Sequence, residues 1–241
     1  MKLSIIVPCY NEARNIPLIL GRFSEAVRRP DVELVLVDNG STDDSADVLK
    51  RLLPDYPFAR TVRVEVNQGY GFGILSGLRA ADGQYIGWTH ADMQTDPCDT
   101  VRALGIIEGI GSPDDIYVKG RRRGRTPFDV FFTAGMGVFE TLYMGVGLWD
   151  INAQPNIFHR TFFEGWTNPP HDFSLDLYAL YTARKKGLRI IRLDVEFPPR
   201  LHGHSSWNTG LGSKWKFIKR TVEFSRRLKK GFRDGVHSAQ G

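Results

Sequence analysis

Four short apolar runs, most of them followed by a helix-length stretch, constrain the fold of this chain more than any other feature of its sequence. Residues 3–7 are apolar but for Ser4 and end at Pro8, which reads as a buried parallel strand. Residues 11–28 read as a helix, with Ile16, Leu18, Leu20 and Phe23 among its apolar positions. Residues 33–37 are a second strand, and Ser41, Thr42, Asp43 and Asp44 offer N-cap chemistry for a helix running to Leu53. A third strand falls over 61–66, a helix opened by a glycine-rich turn over 69–81, and a fourth strand over 85–88. This rhythm predicts an α/β fold with a mainly parallel sheet flanked by helices. In such sheets ligands bind at the carboxyl ends of strands. The loops of interest are therefore 8–12, 38–43, 67–73 and 89–96.

Beyond residue 100 the rhythm weakens. Residues 101–110 read as helix, 116–118 as strand, 119–125 as an Arg-rich loop and 127–148 as a glycine-interrupted helix. A helix over 171–186 is followed by a strand over 188–196 and a loop rich in Gly, His and Ser over 199–212. Asp96 and Pro97 have the chemistry of an N-cap and first helical position. The expected division is a main domain over 1–212 and a basic amphipathic helix and tail over 213–241.

Composition removes several classes. With 241 residues, 41% hydrophobic and 24% charged, the chain is neither disordered, collagen-like nor a disulfide-knotted mini-protein. Cys9 and Cys98 are too few for a disulfide scaffold or a four-ligand zinc site, so reduced thiols in a cytosolic compartment are expected. The apolar run at the N-terminus is shorter than a signal-peptide core. No span of about 20 apolar residues occurs, so no membrane-crossing helix is expected. Net charge is +5, but residues 214–233 carry nine Lys/Arg against one acid and residues 119–125 carry five Lys/Arg against none. An otherwise acidic protein thus carries two basic patches suited to phosphate groups.

The strand-end loops hold the candidate chemistry. Pro8, Tyr10 and Glu12 follow the first strand, and Asp38, Asn39, Ser41 and Asp43 the second. Asn67, Gly69, Gly71 and Gly73 follow the third, and His90, Ala91, Asp92 and Gln94 the fourth. A carboxylate there can accept from a nucleobase or ribose, and a tyrosine can stack on a base. Alternation in His90-x-Asp92-x-Gln94 points three potential ligands one way, which suits one divalent ion that also holds a diphosphate. Each piece alone is also ordinary turn chemistry; the joint order is what carries weight.

That order, Pro8-x-Tyr10-Asn11-Glu12, Asp38-Asn39-x-Ser41-x-Asp43, Asn67-x-Gly69-x-Gly71-x-Gly73-x-x-x-Gly77 and Ala91-Asp92-x-Gln94-x-Asp96-Pro97, resembles the family-two inverting glycosyltransferases of GT-A fold. Within them it is most similar to the dolichyl- and polyprenyl-phosphate sugar synthase branch, over roughly residues 3–207. The resemblance implies that Pro8, Tyr10, Glu12 and Asp38 hold the nucleoside, with Gly69 and Ala91 lining the donor site. It implies that Asp92 and Gln94 chelate Mg²⁺ or Mn²⁺ on the diphosphate. The branch usually has Asp where this chain has His90. An imidazole can ligate Mn²⁺ but suits Mg²⁺ poorly. His90 therefore either ligates the metal or hydrogen-bonds the donor, and metal-independent action with Arg122 and Arg200 on the diphosphate is the alternative. Val118 to Arg123 resemble the branch's Gly-x-Arg segment, Asp150 to Gln154 its acceptor-side motif, and Arg200-x-x-Gly203-x-Ser205 the segment that closes over the diphosphate.

Inverting transfer is a single displacement, and a hydroxyl acceptor needs a carboxylate base. Asp172 and Asp176, four apart, are expected to share one face of the 171–186 helix and to supply it. A phosphate acceptor needs no base, and both aspartates would then only position groups. In the C-terminal helix, Phe217, Ile218, Phe224, Leu228 and Phe232 fall on one half and most cations on the other, which resembles an interfacial helix on anionic lipid. A helix packed on the catalytic domain is the alternative. The resemblance thus implies an enzyme that moves a sugar from a nucleoside diphosphate sugar to a polyprenyl-phosphate-type lipid. It would sit on the cytoplasmic side of an anionic membrane, with a membrane-protein partner as a further route to the lipid. The rival readings are transfer to a saccharide or other hydroxyl and nucleotide-sugar binding without catalysis. Nucleic acid is not an expected partner, because the polar loops sit where a small-molecule site belongs.

Overall fold

The first apolar run forms β1 (Leu3–Cys9), buried at every position but the half-buried Pro8. It pairs in parallel with β2 (Val32–Asn39), which is buried throughout, and β2 pairs in parallel with the edge strand β3 (Ala59–Val64). On its other side β1 pairs in parallel with β4 (Tyr85–Trp88). The computed structural model describes residues 1–92, 94–124, 127–197 and 211–234, and their side chains except those of 127–132 and 211–218. Among the described residues the sheet has seven strands in the order β3-β2-β1-β4-β6-β5-β7, with β5 (Ile116–Arg123), β6 (Asn156–His159) and β7 (Arg189–Glu196). Only β6 runs antiparallel to its neighbours.

Period-two alternation divides the core. Leu3, Ile5 and Val7 face α1 (Ile16–Ala26), α2 (Ser45–Leu52) and α4 (Pro97–Gly109). Ile6, Val35 and Val37 face α3 (Tyr70–Ala80), α6 (Arg160–Glu164) and α7 (Leu175–Lys185). The long helices α5 (Pro127–Met144) and α8 (Leu211–Arg233) join this second cluster through Met144 and Leu228. The expected mainly parallel α/β fold is borne out.

Local chemistry explains where the elements depart from expectation. The first helix starts at Ile16, not at residue 11, because Asn11 is left-handed (φ 57°) and a turn closes from the Asn15 N–H to the Glu12 carbonyl. The Arg-rich stretch is not a loop. It extends β5 to Arg123, held in parallel register with β7 up to the Arg123–Glu196 pairing. Alternation puts Arg121 and Arg123 on the face of Tyr117 and Lys119, where at the open end of the strand they pair with Asp194, while Arg122 turns to the opposite face. The expected helix over 171–186 begins only at Leu175, since the Asp172 carboxylate accepts from the Ser174 N–H (2.9 Å) in a turn that precedes it. Asp96 does cap α4, accepting from the Cys98 N–H at 2.9 Å. The short β6 and α6 carried no signal recognised in the sequence. The loop expected over 199–212, with Arg200 and Ser205, lies almost wholly outside the described residues.

Candidate functional site

The loops after β1 and β2 are stitched into one rim. The Asn11 N–H donates to Ser41 Oγ (3.1 Å), the Thr42 N–H to Asn11 Oδ1 (2.9 Å) and the Glu12 N–H to Ser45 Oγ (2.9 Å). On this rim Asp38 is 2% exposed, accepts from the Ser41 N–H at 3.0 Å and pairs with Arg63. Glu12 accepts from the Asn15 amide. Tyr10 is 46% exposed, an aromatic ring left on the surface of the rim. Such a ring, which folding itself does not bury, is available to stack on a flat ligand.

The glycine motif does structural service next door. A Cβ on Gly69 (φ +105°) would lie 2.6 Å from the His171 carbonyl oxygen, and one on Gly71 2.6 Å from that of Pro170. The Phe72 N–H donates to the same His171 carbonyl at 3.0 Å, and the Asn39 amide donates to the Gly69 carbonyl at 3.0 Å. These glycines let segment 170–172 press against the start of α3. They thereby bring Asp172 to the strand ends.

At the end of β4, Ala91 is buried and the Asp92 carboxylate accepts from the Gln94 N–H at 3.2 Å. The His90 ring stacks on Tyr70 (5.7 Å between centroids), and Tyr70 stacks on Phe173 (4.7 Å). Burial, with the Asp176 and Asp92 carboxylates nearby, pushes the Tyr70 phenol well above its usual range. Among the described residues no three His, Cys, Asp or Glu side chains converge as an all-protein metal cage. The donors here are one carboxylate, one imidazole and one amide. That set fits an ion that takes its remaining oxygens from a diphosphate.

Beneath lies a buried polar cluster. Asp176, 2% exposed, accepts from the Gln154 and Asn156 amides, both at 3.0 Å. The Asn156 side-chain oxygen Oδ1 accepts from the Tyr117 hydroxyl and the Lys119 ammonium, both at 2.6 Å. Lys119, wholly buried, also donates to the Ala153 carbonyl at 3.0 Å, and burial pushes its pKa down to about 7 despite the nearby Asp176. Asp172 is separate. Its side chain is 43% exposed and pairs with Arg220 of α8 at 2.8 Å. Burial opposes its ionisation, but the Ser174 N–H and Arg220 hold its carboxyl below the usual range. The two aspartates therefore do not share a helix face as expected; one precedes α7 and the other lies in its buried first turn.

Arg122 and Asp150, expected on the diphosphate and on the acceptor side, are brought together. The Arg122 backbone N–H and Nε each donate to the Asp150 carboxylate at 2.8 Å. Burial works against Asp150, yet the Arg122 guanidinium wins and its carboxyl lies below the usual range. Beside the pair opens a cleft of about 680 Å³ including its mouth. Its rim holds Asp150, Asp172 and Arg220, and Met136, Ile151, Phe173 and Leu177 supply apolar wall. Nothing in the sequence pattern singled out Asn156, Tyr70, Phe173 or Arg220. For the inward turn of Lys119, the one available sign was a lysine continuing the strand alternation of Tyr117.

The family model for glycosyl transferase family 2 matches residues 4–138. A stretch of 112 residues is 37% identical to the undecaprenyl-phosphate 4-deoxy-4-formamido-L-arabinose transferase of Pseudomonas syringae pv. syringae (strain B728a), covering 44% of this chain and 32% of that protein. The transferase of the same description from Yersinia enterocolitica is 32% identical over 111 residues, 44% of this chain and 34% of that one. The chain thus spans about a third of the length of the curated relatives it matches. Among solved structures, glucosyl-3-phosphoglycerate synthase from Mycobacterium tuberculosis with Mn²⁺, UDP-glucose and phosphoglyceric acid superposes with a TM-score of 0.72 at 18% identity, covering 95% of this chain and 80% of that one. The same synthase with UDP gives 0.71 at 19%, with the same coverage. At such identity the likeness concerns the fold, and the GT-A architecture expected from the four loops is borne out.

Proposed function

The chain belongs to glycosyl transferase family 2, and on that premise we propose that it is an inverting glycosyltransferase moving a sugar from a nucleoside diphosphate sugar to a polyprenyl-phosphate-type lipid. The observation that carries the acceptor class is the state of the two aspartates. Asp172 is committed to Arg220 and the Ser174 N–H, and Asp176 is buried under two amides. Asp172, held below the usual carboxylate range, is a weak proton acceptor, and the hydrogen bonds and burial of Asp176 leave its carboxylate turned to the protein interior. A phosphate acceptor is already an anion and asks for none. The curated relatives, described as undecaprenyl-phosphate sugar transferases, support the same choice.

In this reading Tyr10 stacks on the base, and Asp38, Glu12 and Pro8 frame the nucleoside, with Gly69 and Ala91 lining the donor site. Asp92 and Gln94, with His90 beside them, would hold a divalent ion, Mn²⁺ or Mg²⁺, as the solved neighbours hold Mn²⁺. Held there, it would supply positive charge to neutralise the diphosphate as leaving group. Arg200 and Ser205 belong to the same donor side by the sequence resemblance. Arg122 orders Asp150 and, with Gln154, the acceptor-side segment. The acceptor phosphate oxygen forms its bond to the anomeric carbon as the bond to the diphosphate breaks. The nucleoside diphosphate leaves with those electrons, and no proton moves. Residues 1–212 form the catalytic unit; α8 packs its apolar side, Phe224, Leu228 and Phe232, on that unit rather than on lipid, and the cations of 213–241 are its attachment to an anionic membrane on the cytoplasmic side. A membrane-protein partner is a further route to the lipid.

The test is transfer of labelled sugar from a panel of UDP-, GDP-, CDP- and dTDP-sugars to a detergent-dispersed polyprenyl phosphate. Asp92→Ala is expected to lower transfer at least 100-fold, a loss of about 2.7 kcal/mol in transition-state stabilisation. Full transfer by that variant refutes the donor site. Transfer to a saccharide alone, lost in Asp172→Asn or Asp176→Asn, points to a hydroxyl acceptor. Donor binding without transfer or hydrolysis points to lost catalysis.

A further inference from the structure

Helix α5 is built the wrong way round for a surface in water. From Thr133 to Met144 its exposed positions are Ala134, Gly135, Val138, Phe139 and Leu142, and Leu142 is 78% exposed. The one charged residue of that stretch, Glu140, is wholly buried and turned inward to accept from Ser225 Oγ of α8. A helix facing water normally shows the opposite arrangement. A contiguous apolar stripe left outside marks a contact surface.

What covers the stripe is indicated by its neighbour. Where α5, α7 and α8 end side by side, a cleft of about 1270 Å³ including its mouth is lined by Lys185, Arg226, Lys229, Lys230 and Arg233, with no acid among its lining residues. All five cations are exposed. Lys229 lies 4.9 Å over the Tyr143 ring at the end of the apolar stripe, so the two features are continuous. Apolar side chains beside clustered cations match the two layers of a bilayer interface, acyl boundary and phosphate headgroups. No described helix is long and apolar enough to cross a membrane.

We propose that the outward face of α5 and the basic cleft beside it form one docking surface for a bilayer containing anionic phospholipid, with α5 lying in the interface. Helix α8 ties this surface to the site. It carries Arg220 on the rim of the acceptor cleft and Arg233 in the basic cleft, about 20 Å apart at 1.5 Å per residue. The acceptor cleft, walled by Met136 and Gly137 of α5, then opens at the level of the headgroups. This deepens the lipid-acceptor reading and rests on it for the choice of partner.

The experiment is co-sedimentation of the full chain with vesicles of phosphatidylcholine alone or with 30% phosphatidylglycerol, at low and high salt. Binding is expected only with phosphatidylglycerol, weakened by salt. Leu142→Asp should lower it at least tenfold, and Lys185→Gln and Lys230→Gln about fivefold each. Urea unfolding of each variant should match the parent, since all three side chains are exposed. Binding indifferent to phosphatidylglycerol, or undiminished in Leu142→Asp, overturns the proposal. So does a stable dimer that Leu142→Asp dissociates. Transfer to a short-chain, water-soluble polyprenyl phosphate separates the two readings. Vesicle binding without transfer sinks the reaction alone, and transfer without vesicle binding sinks the docking surface alone.

Discussion

Lys119→Met should change how stability depends on pH more than how the protein looks. The ammonium is wholly buried, with the Ala153 carbonyl and the Asn156 amide oxygen as partners. Burial pushes its pKa from 10.5 to about 7, with Asp176 and Asp150 opposing and Arg192 and Arg122 adding to the shift. A shift of that size corresponds to roughly 4–5 kcal/mol of penalty on the charged form. For a base whose folded pKa is depressed, the unfolded chain binds more protons between the two values. Stability contributed by Lys119 therefore rises with pH from about 7 towards 10, by about 1.4 kcal/mol per pH unit. Between pH 7.5 and 9 the parent should gain about 2 kcal/mol relative to Lys119→Met. The Cys9 thiol, pushed up by burial, works the other way in the same window. It does so in both proteins and cancels in the difference. The assay is urea unfolding of both at pH 7.5, 8.25 and 9. Parallel pH dependences would mean that Lys119 stays protonated in the fold with Asp176 as its counter-ion, and the desolvation argument would be wrong.

Arg122→Met strands Asp150, whose side chain is only 17% exposed, and should cost about 3 kcal/mol at pH 7. In the parent, Asp150 lies below its unfolded pKa, so its contribution is present above that value and lost on acidification. The gap between the two proteins should therefore shrink in urea unfolding at pH 4, and Asp150→Asn added to the variant should recover part of the loss. Gly71→Ala places a Cβ within 2.6–2.8 Å of three backbone atoms of 170–172. Overpacking of about 1–3 kcal/mol should outweigh the roughly 1 kcal/mol of helix propensity gained, and calorimetry should show a lower Tm; an unchanged or higher Tm would refute the packing role given to the glycine motif.

How much was legible in the sequence depends on the range of the interactions involved. The strands β1, β2 and β4 were legible because continuous apolar runs bounded by turn residues have few alternatives. The strand-end position of Pro8, Tyr10, Asp38 and Asp92 followed from that order, and so did the family. The Asp96 cap was legible because capping is settled within three residues. The Arg run was misread as a loop because its strand character comes from pairing with β7, some 70 residues on. Asp172 and Asp176 looked like one helical face because spacing takes no account of the turn that Asp172 itself closes.

By itself, then, the sequence determined the parallel α/β frame and the identity of the loops at its strand ends, since local periodicity and turn chemistry specify both. Tertiary structure alone decided the partners. It placed Arg122 on Asp150, Arg220 on Asp172 and Lys119 beneath Asn156. It also turned Glu140 inward and Leu142 outward. Such pairings join residues 28–85 positions apart. Which charge meets which is set by how helices and strands pack, and a linear pattern does not contain that distance.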